Sequence, residues 1–154
     1  MSDTRWLSAE EMRAWRGFLA ASALVNRALD QQLKDDCDLS HPQYEILVRL
    51  AAEPEGELRM TELANGLVNS KSGLTYQVTQ LEKAGLVRRR TCPTDVRGVF
   101  AVLTEAGRAR LAEAAPGHVA AVRAHLIDVL TPEQLTAIAD GLGEVSSRLR
   151  ATGH

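Results

Sequence analysis

Between Ser70 and Val99 the chain carries Lys71, Lys83, Arg88, Arg89, Arg90 and Arg97 against Glu82 and Asp95, a net charge of +4 in thirty residues. The whole chain of 154 residues is −2, so the remainder holds −6. Attraction to phosphate is local, so the segment and not the total decides what binds there. Ser70, Ser72, Thr75, Tyr76, Gln77, Thr79 and Gln80 are interleaved with these cations. Hydroxyls and amides donate to phosphate oxygens. An amide can pair with an adenine edge, and a threonine methyl can meet the methyl of thymine. Gly73 would let a backbone approach closely. The chemistry on offer is recognition of an anionic polymer.

Catalytic chemistry has little to stand on. There is no glycine-rich phosphate loop, no Gly-x-Ser-x-Gly elbow and no His-Glu-x-x-His. The acid pairs Glu10-Glu11 and Asp35-Asp36 are adjacent, so on a helix they point apart and read as solvated. His118 and His125 lie seven apart and share a helical face, but with no Cys or Asp at ligand spacing two histidines do not close a metal site. The expectation is a protein that is not an enzyme, with no cofactor and no metal.

The elements that must hold the basic segment are mostly helical. Ser8-Ala9-Glu10-Glu11 has capping-box spacing, and Trp15, Phe18, Ser22, Val25, Leu29 and Leu33 recur at steps of three and four, which predicts a helix over about 9–36. Ser40-His41-Pro42-Gln43 opens a second helix with apolar face Tyr44, Leu47, Val48 and Ala51, stopped by Pro54 and Gly56. A short helix over Thr61–Leu67, a turn at Val68-Asn69-Ser70 and a helix running to about Ala84 follow, with Gly85 at the left-handed cap. Leu74, Val78 and Leu81 face inward on that last helix. Ser72, Tyr76, Thr79, Gln80 and Lys83 lie opposite, flanked by Thr75 and Gln77. Two helices and a three-residue turn make a helix-turn-helix pattern.

Leu86–Thr91 and Val99–Leu103 then read as a hairpin around Pro93, Asp95 and Gly98. Alternation places Arg88 and Arg90 on one face and Arg89 on the other, a self-repelling cluster unless an anion is near. After Thr104 the helical period returns through Leu111, Val119, Val122 and Leu126, with a kink or split expected at Pro116-Gly117. Thr131-Pro132-Glu133-Gln134 caps a last helix bearing Ile138, Leu142, Val145 and Leu149.

With 45% hydrophobic and 25% charged residues, the composition is that of a soluble globular chain. No stretch of 18 uncharged apolar residues predicts a membrane span. The start, MSDTRWLSAEEMRAW, lacks the basic and apolar regions of a secretory signal, and Cys37 and Cys92 do not suggest a disulfide framework. A reduced, cytoplasmic protein is expected.

Leu63-Ala64, Ser70-Lys71-Ser72-Gly73-Leu74-Thr75, Leu81-Glu82-Lys83-Ala84-Gly85-Leu86-Val87-Arg88-Arg89, Asp95-Val96-Arg97-Gly98 and Val102-Leu103-Thr104-Glu105-Ala106-Gly107 together resemble the MarR family of winged helix-turn-helix transcription regulators. The resemblance covers essentially the whole chain. It implies a mostly α fold with a small β-hairpin wing. The winged helix-turn-helix, over about 42–104, would be flanked by dimerisation helices at about 8–36 and 105–150 of a single unit, 1–154. It also implies a homodimer on a pseudo-palindromic operator in double-stranded DNA, acting as a repressor. The DNA contacts would come from Ser70, Lys71, Ser72, Thr75, Tyr76, Gln77, Thr79, Gln80, Arg88 and Arg90, with Arg97 at the wing tip and Asp95 steadying it. The rival reading is a helical interaction module whose basic hairpin binds an acidic partner protein.

By the same resemblance, Trp15, Phe18, His41, Tyr44 and Arg49 would line a cleft for a small aromatic or phenolic anion, rings and a cation suiting such a ligand. The bland alternative makes the three large aromatics ordinary core and interface residues. Some members of the family switch by cysteine oxidation, typically early in the first helix. Cys37 lies at the end of that helix and Cys92 at the wing base, so packing or simple exposure competes with sensing.

Overall fold

The computed structural model describes residues 3–67 and 73–153, the side chains of 92 and 95–97 excepted. Helix α1, Ala9–Cys37, starts on a capping box in which the Ser8 hydroxyl accepts the Glu11 N–H and the Glu11 carboxylate accepts the Ser8 N–H. Twenty-nine residues make it about 43 Å long. Only Leu29 and Leu33, near its C-terminus, are buried. Asp38, at φ 55°, closes it, and Arg110 donates to the Cys37 carbonyl.

Helix α2, His41–Ala51, has the same kind of cap, Ser40 with Gln43. The expected apolar face shifts. Val48 is exposed, whereas Ile46, Leu47 and Leu50 are wholly buried with Tyr44 behind them. The reason is that α2 sits in the middle of the protein, with neighbours on several sides, and so buries more than one stripe.

Strand β1, Glu57–Arg59, is an addition to the expected hairpin. It is followed by α3, Met60–Gly66, and α4, Leu74–Lys83. Helix α4 buries Leu74, Val78 and Leu81 as the periodicity predicts, and Gly85 takes the left-handed turn at φ 78°. Strands β2, Val87–Cys92, and β3, Asp95–Leu103, form the hairpin, with a register irregularity between Thr91 and Cys92. β1 pairs with β3, giving an antiparallel sheet ordered β1-β3-β2.

Helix α5, Glu105–His125, is capped by Thr104 and continues through Pro116 as one helix, so the expected split does not occur. Proline removes one helical hydrogen bond, and packing along α1 holds the two halves together. Gly117 lies against Gln32 and Asp36 of α1, where a Cβ would sit 3.0 Å from Gln32 Nε2. A single 3₁₀ turn, Ile127–Val129, leads to α6, Pro132–Ala151, opened by the Thr131–Gln134 box. The structure is a mostly helical winged helix-turn-helix, with its core spread over α2, α3, α4 and the sheet and reached by the C-terminal end of α1 and the first half of α5.

Gly107 marks the tightest approach. A Cβ there would collide with the Leu86 carbonyl and come 2.6 Å from Leu103 Cδ1. Gly107→Ala is expected to lower stability by about 1–3 kcal/mol, the usual cost of overpacking. Urea unfolding would check this, and an unchanged midpoint would mean that α5 does not press on the wing base.

Candidate nucleic-acid interface

The inward anchoring of Leu74, Val78 and Leu81 turns the other face of α4 outward. Thr75, Tyr76 and Lys83 are exposed, and Gln77, Thr79 and Gln80 are half-buried. Tyr76, a large ring, is 64% exposed. Gln77 Oε1 is buried without a partner. Ser70, Lys71 and Ser72 lie outside the described residues, as do the side chains of Asp95 and Arg97, whose backbone belongs to β3.

The three consecutive arginines separate, as strand alternation requires. Arg88 is exposed. Arg90 turns to the sheet face, where its Nη2 donates to Glu57 Oε1 at 2.8 Å and its guanidinium lies 4.4 Å from the Phe100 ring centre. Arg59, the other register partner of Phe100, stacks on the same ring at 5.2 Å. Arg89 turns the opposite way, onto α4. Its Nη1 donates to Glu82 Oε1 at 3.1 Å, and its Nη2 donates to the Thr75 carbonyl at 3.1 Å and to Thr79 Oγ1 at 3.0 Å. Its backbone N–H donates to Glu82 Oε2 at 3.1 Å. The anions that relieve this cluster are therefore Glu57 and Glu82 of the chain itself.

Between α4 and the wing lies a notch of about 660 Å³, lined by Arg59, Thr61, Thr75, Thr79, Arg89 and Gly98 among others. Arg59 and Thr61 were not among the sequence candidates. The only signal for them was the three-residue alternation Glu57-Leu58-Arg59, too short to read as a strand.

The five candidate ligand-cleft residues fall in three places within one chain. Trp15 and Phe18, ring centres 6.1 Å apart, are half-exposed on α1. Phe18 borders an apolar groove of about 620 Å³ with Val25, Leu126, Ile138, Leu142 and Val145. His41 and Tyr44 face His118 of α5, at 6.1 Å and 4.3 Å between ring centres. The His41 N–H donates to Asp30 Oδ1. Asp30 stands fifteen residues along α1 from Trp15, about 22 Å. Arg49 pairs with Glu53 at 2.6 Å and lies against Gly66. Burial, then Asp36 and Glu113, push the Cys37 thiol above its ordinary value despite Arg110, so little thiolate exists at neutral pH. Among the described residues no three His, Cys, Asp or Glu side chains gather as a metal site, and no helix is long and apolar enough to cross a membrane.

The arrangement of α3, α4 and the β2–β3 wing has close counterparts. AbsC of Streptomyces coelicolor, a MarR family transcriptional regulator, superposes with a TM-score of 0.88 at 43% identity, over 96% of this chain and 99% of its own. Residues 39–99 match the sequence profile of the MarR family. This chain belongs to that family of transcriptional regulators. Sco3205 of the same organism, also a MarR family regulator and solved in complex with DNA, shares 45% identity over 94% of each chain with a TM-score of 0.88. The HTH-type regulator YfiV of Bacillus subtilis shares 31% identity over 93% of this chain and 87% of its own.

Within this MarR-family chain, burial and then the nearby His41 hold His118 below the ordinary histidine value, and its Nδ1 has no partner. A histidine kept neutral in the fold binds fewer protons than in the unfolded chain, so stability is full above the unfolded value of 6.5 and declines as pH falls below it. Urea midpoints are expected to fall between about pH 7 and pH 5, and His118→Phe should flatten that decline. An equal slope in the variant would remove His118 from the account.

Proposed function

We propose that this chain is a sequence-specific regulator that binds a pseudo-palindromic operator in double-stranded DNA as a homodimer and represses by occupying the promoter. The observation that carries the reading is α4 itself: anchored by three buried residues, it turns Thr75, Tyr76 and Lys83 to solvent beside a wing bearing the exposed Arg88. A polar helix of this kind fits the major groove, and the hairpin reaches the adjoining backbone or minor groove. The DNA-bound state of Sco3205 supports carrying this to the present chain. On this reading Ser70, Lys71, Ser72 and Arg97 belong to the same surface, with Asp95 steadying the wing.

The homodimer is supported by what a single copy leaves uncovered. Helix α6 buries no residue, and Ile138, Leu142, Val145 and Leu149 are exposed along it, as are Trp15 and Phe18 on α1. Apolar stripes on both end helices give two copies a common seam. A small aromatic anion would act by changing the distance between the two α4 helices, so that both no longer fit their grooves together. Of the residues expected to line its cleft, His41 and Tyr44 lie together, packed on His118.

Selection of duplexes from a random pool is expected to return an inverted repeat of about 16–20 bp with half-site centres about one turn apart. Affinity should fall steeply with salt as counterions are released. Five base pairs inserted between half-sites should abolish the tight complex, because the halves then face opposite sides of the duplex. If no duplex is enriched and an acidic protein is bound instead, the interaction-module reading stands. Leu142→Glu should give monomer or aggregate in sedimentation, with DNA binding lost. A wild-type chain that sediments as a monomer at micromolar concentration would overturn the dimer.

A further inference from the structure

Arg89 makes more polar contacts than any other arginine whose bonds are described above, and all of them are internal. Three of its four hydrogen bonds come from the guanidinium and one from the backbone, and they end on Glu82, the Thr75 carbonyl and Thr79 Oγ1. Thr79 is engaged too, since its single O–H donates to the Thr75 carbonyl at 2.8 Å while its oxygen accepts from Arg89. Glu82 receives both the Arg89 guanidinium and the Arg89 N–H at the outer edge of β2, so one carboxylate grips the strand by side chain and backbone together. These bonds join the middle of α4 to the first half of the wing.

We infer that Arg89 is a positioning residue, which sets the angle between the wing and the recognition helix through Glu82, Thr79 and the Thr75 carbonyl and does not itself hold the DNA. The role rests on the DNA-binding reading above. Two elements that must enter neighbouring grooves together bind well only if their relative orientation exists before binding, because orientation lost in the free protein has to be regained in the complex. The planar fork of arginine can meet three acceptors at once, and lysine, a point charge, cannot. The pair is 27% and 39% exposed at the side chains, and exposed ion pairs contribute little to stability, so its loss should leave the fold intact. Thr79 has no proton left to donate to a base edge, since its O–H is spent on the Thr75 carbonyl.

Charge and position predict opposite results, and the wild-type-selected duplex is the probe. Arg89→Lys keeps the charge, so a phosphate-contact role predicts near wild-type affinity, whereas positioning predicts a loss of about tenfold. Glu82→Gln makes the surface more positive, so charge alone predicts tighter binding, and positioning predicts weaker. For both variants the salt slope should equal that of the wild type, while Arg88→Ala, which removes an exposed cation, should lower it by about one. Thermal unfolding accompanies each measurement. Thr79→Val removes one oxygen without changing shape and should weaken binding while Thr79→Ser does not, which decides the matter if Arg89→Lys melts early. Wild-type affinity in Arg89→Lys with the fold intact, tighter binding by Glu82→Gln, or equal affinity of Thr79→Val and Thr79→Ser would overturn the positioning role while leaving DNA binding standing. A wild-type chain that selects no duplex would overturn both.

Discussion

The seam formed by Leu74, Val78 and Leu81 against the central core is the constraint on which the half of this chain that carries α4 and the wing depends. These three residues are 4%, 0% and 1% exposed, and they fix the rotation of α4 about its own axis. Every outward side chain then follows from helical geometry: if 74, 78 and 81 point in, Tyr76 and Lys83 point out. The same core holds α2, which buries four residues, and the wing base, where Leu86 and Val87 are 2% and 1% exposed. Helix α4 and the wing thus share one apolar foundation, and the polar bonds between them adjust an arrangement that burial has already created.

Short-range features were legible in the residues. The three capping boxes at Ser8, Ser40 and Thr131 need only four consecutive positions, and each forms as the spacing requires. The rotation of α4 and the left-handed Gly85 were legible for the same reason. Strand β1 was not, because three residues carry too little alternation and its partner β3 lies some forty positions on. The partners of the arginines were equally hidden. Glu82 is seven residues from Arg89 and Glu57 is thirty-three from Arg90, and neither distance has a local signature. Reading both Trp15 and His41 into one cleft rested on family likeness, and within one chain the length of α1 keeps them apart.

Counting charges along the chain overstated how much cation the surface offers. Six cations against two anions suggest a uniformly basic patch. In the fold, Arg90 is matched by Glu57, a residue outside the basic segment, and rests on Phe100, where cation and ring attract each other. Arg89 is matched by Glu82. Among the described side chains of the wing, Arg89 and Arg90 serve partly as an internal brace, and Arg88 is left to solvent.

Pro116 leaves the carbonyl of Ala112 with no N–H to accept from at the next turn, and Gly117 beside it has no side chain to stiffen the helix there. In mechanical terms α5 is a rod with one tie missing near its midpoint. Its first half is clamped to the wing base where Gly107 meets Leu86, and its second half leads through the 3₁₀ turn to α6. A bending load applied at the α6 end would therefore be carried across residues 112–117 by the contacts of α5 with α1 and not by the helix's own hydrogen bonds.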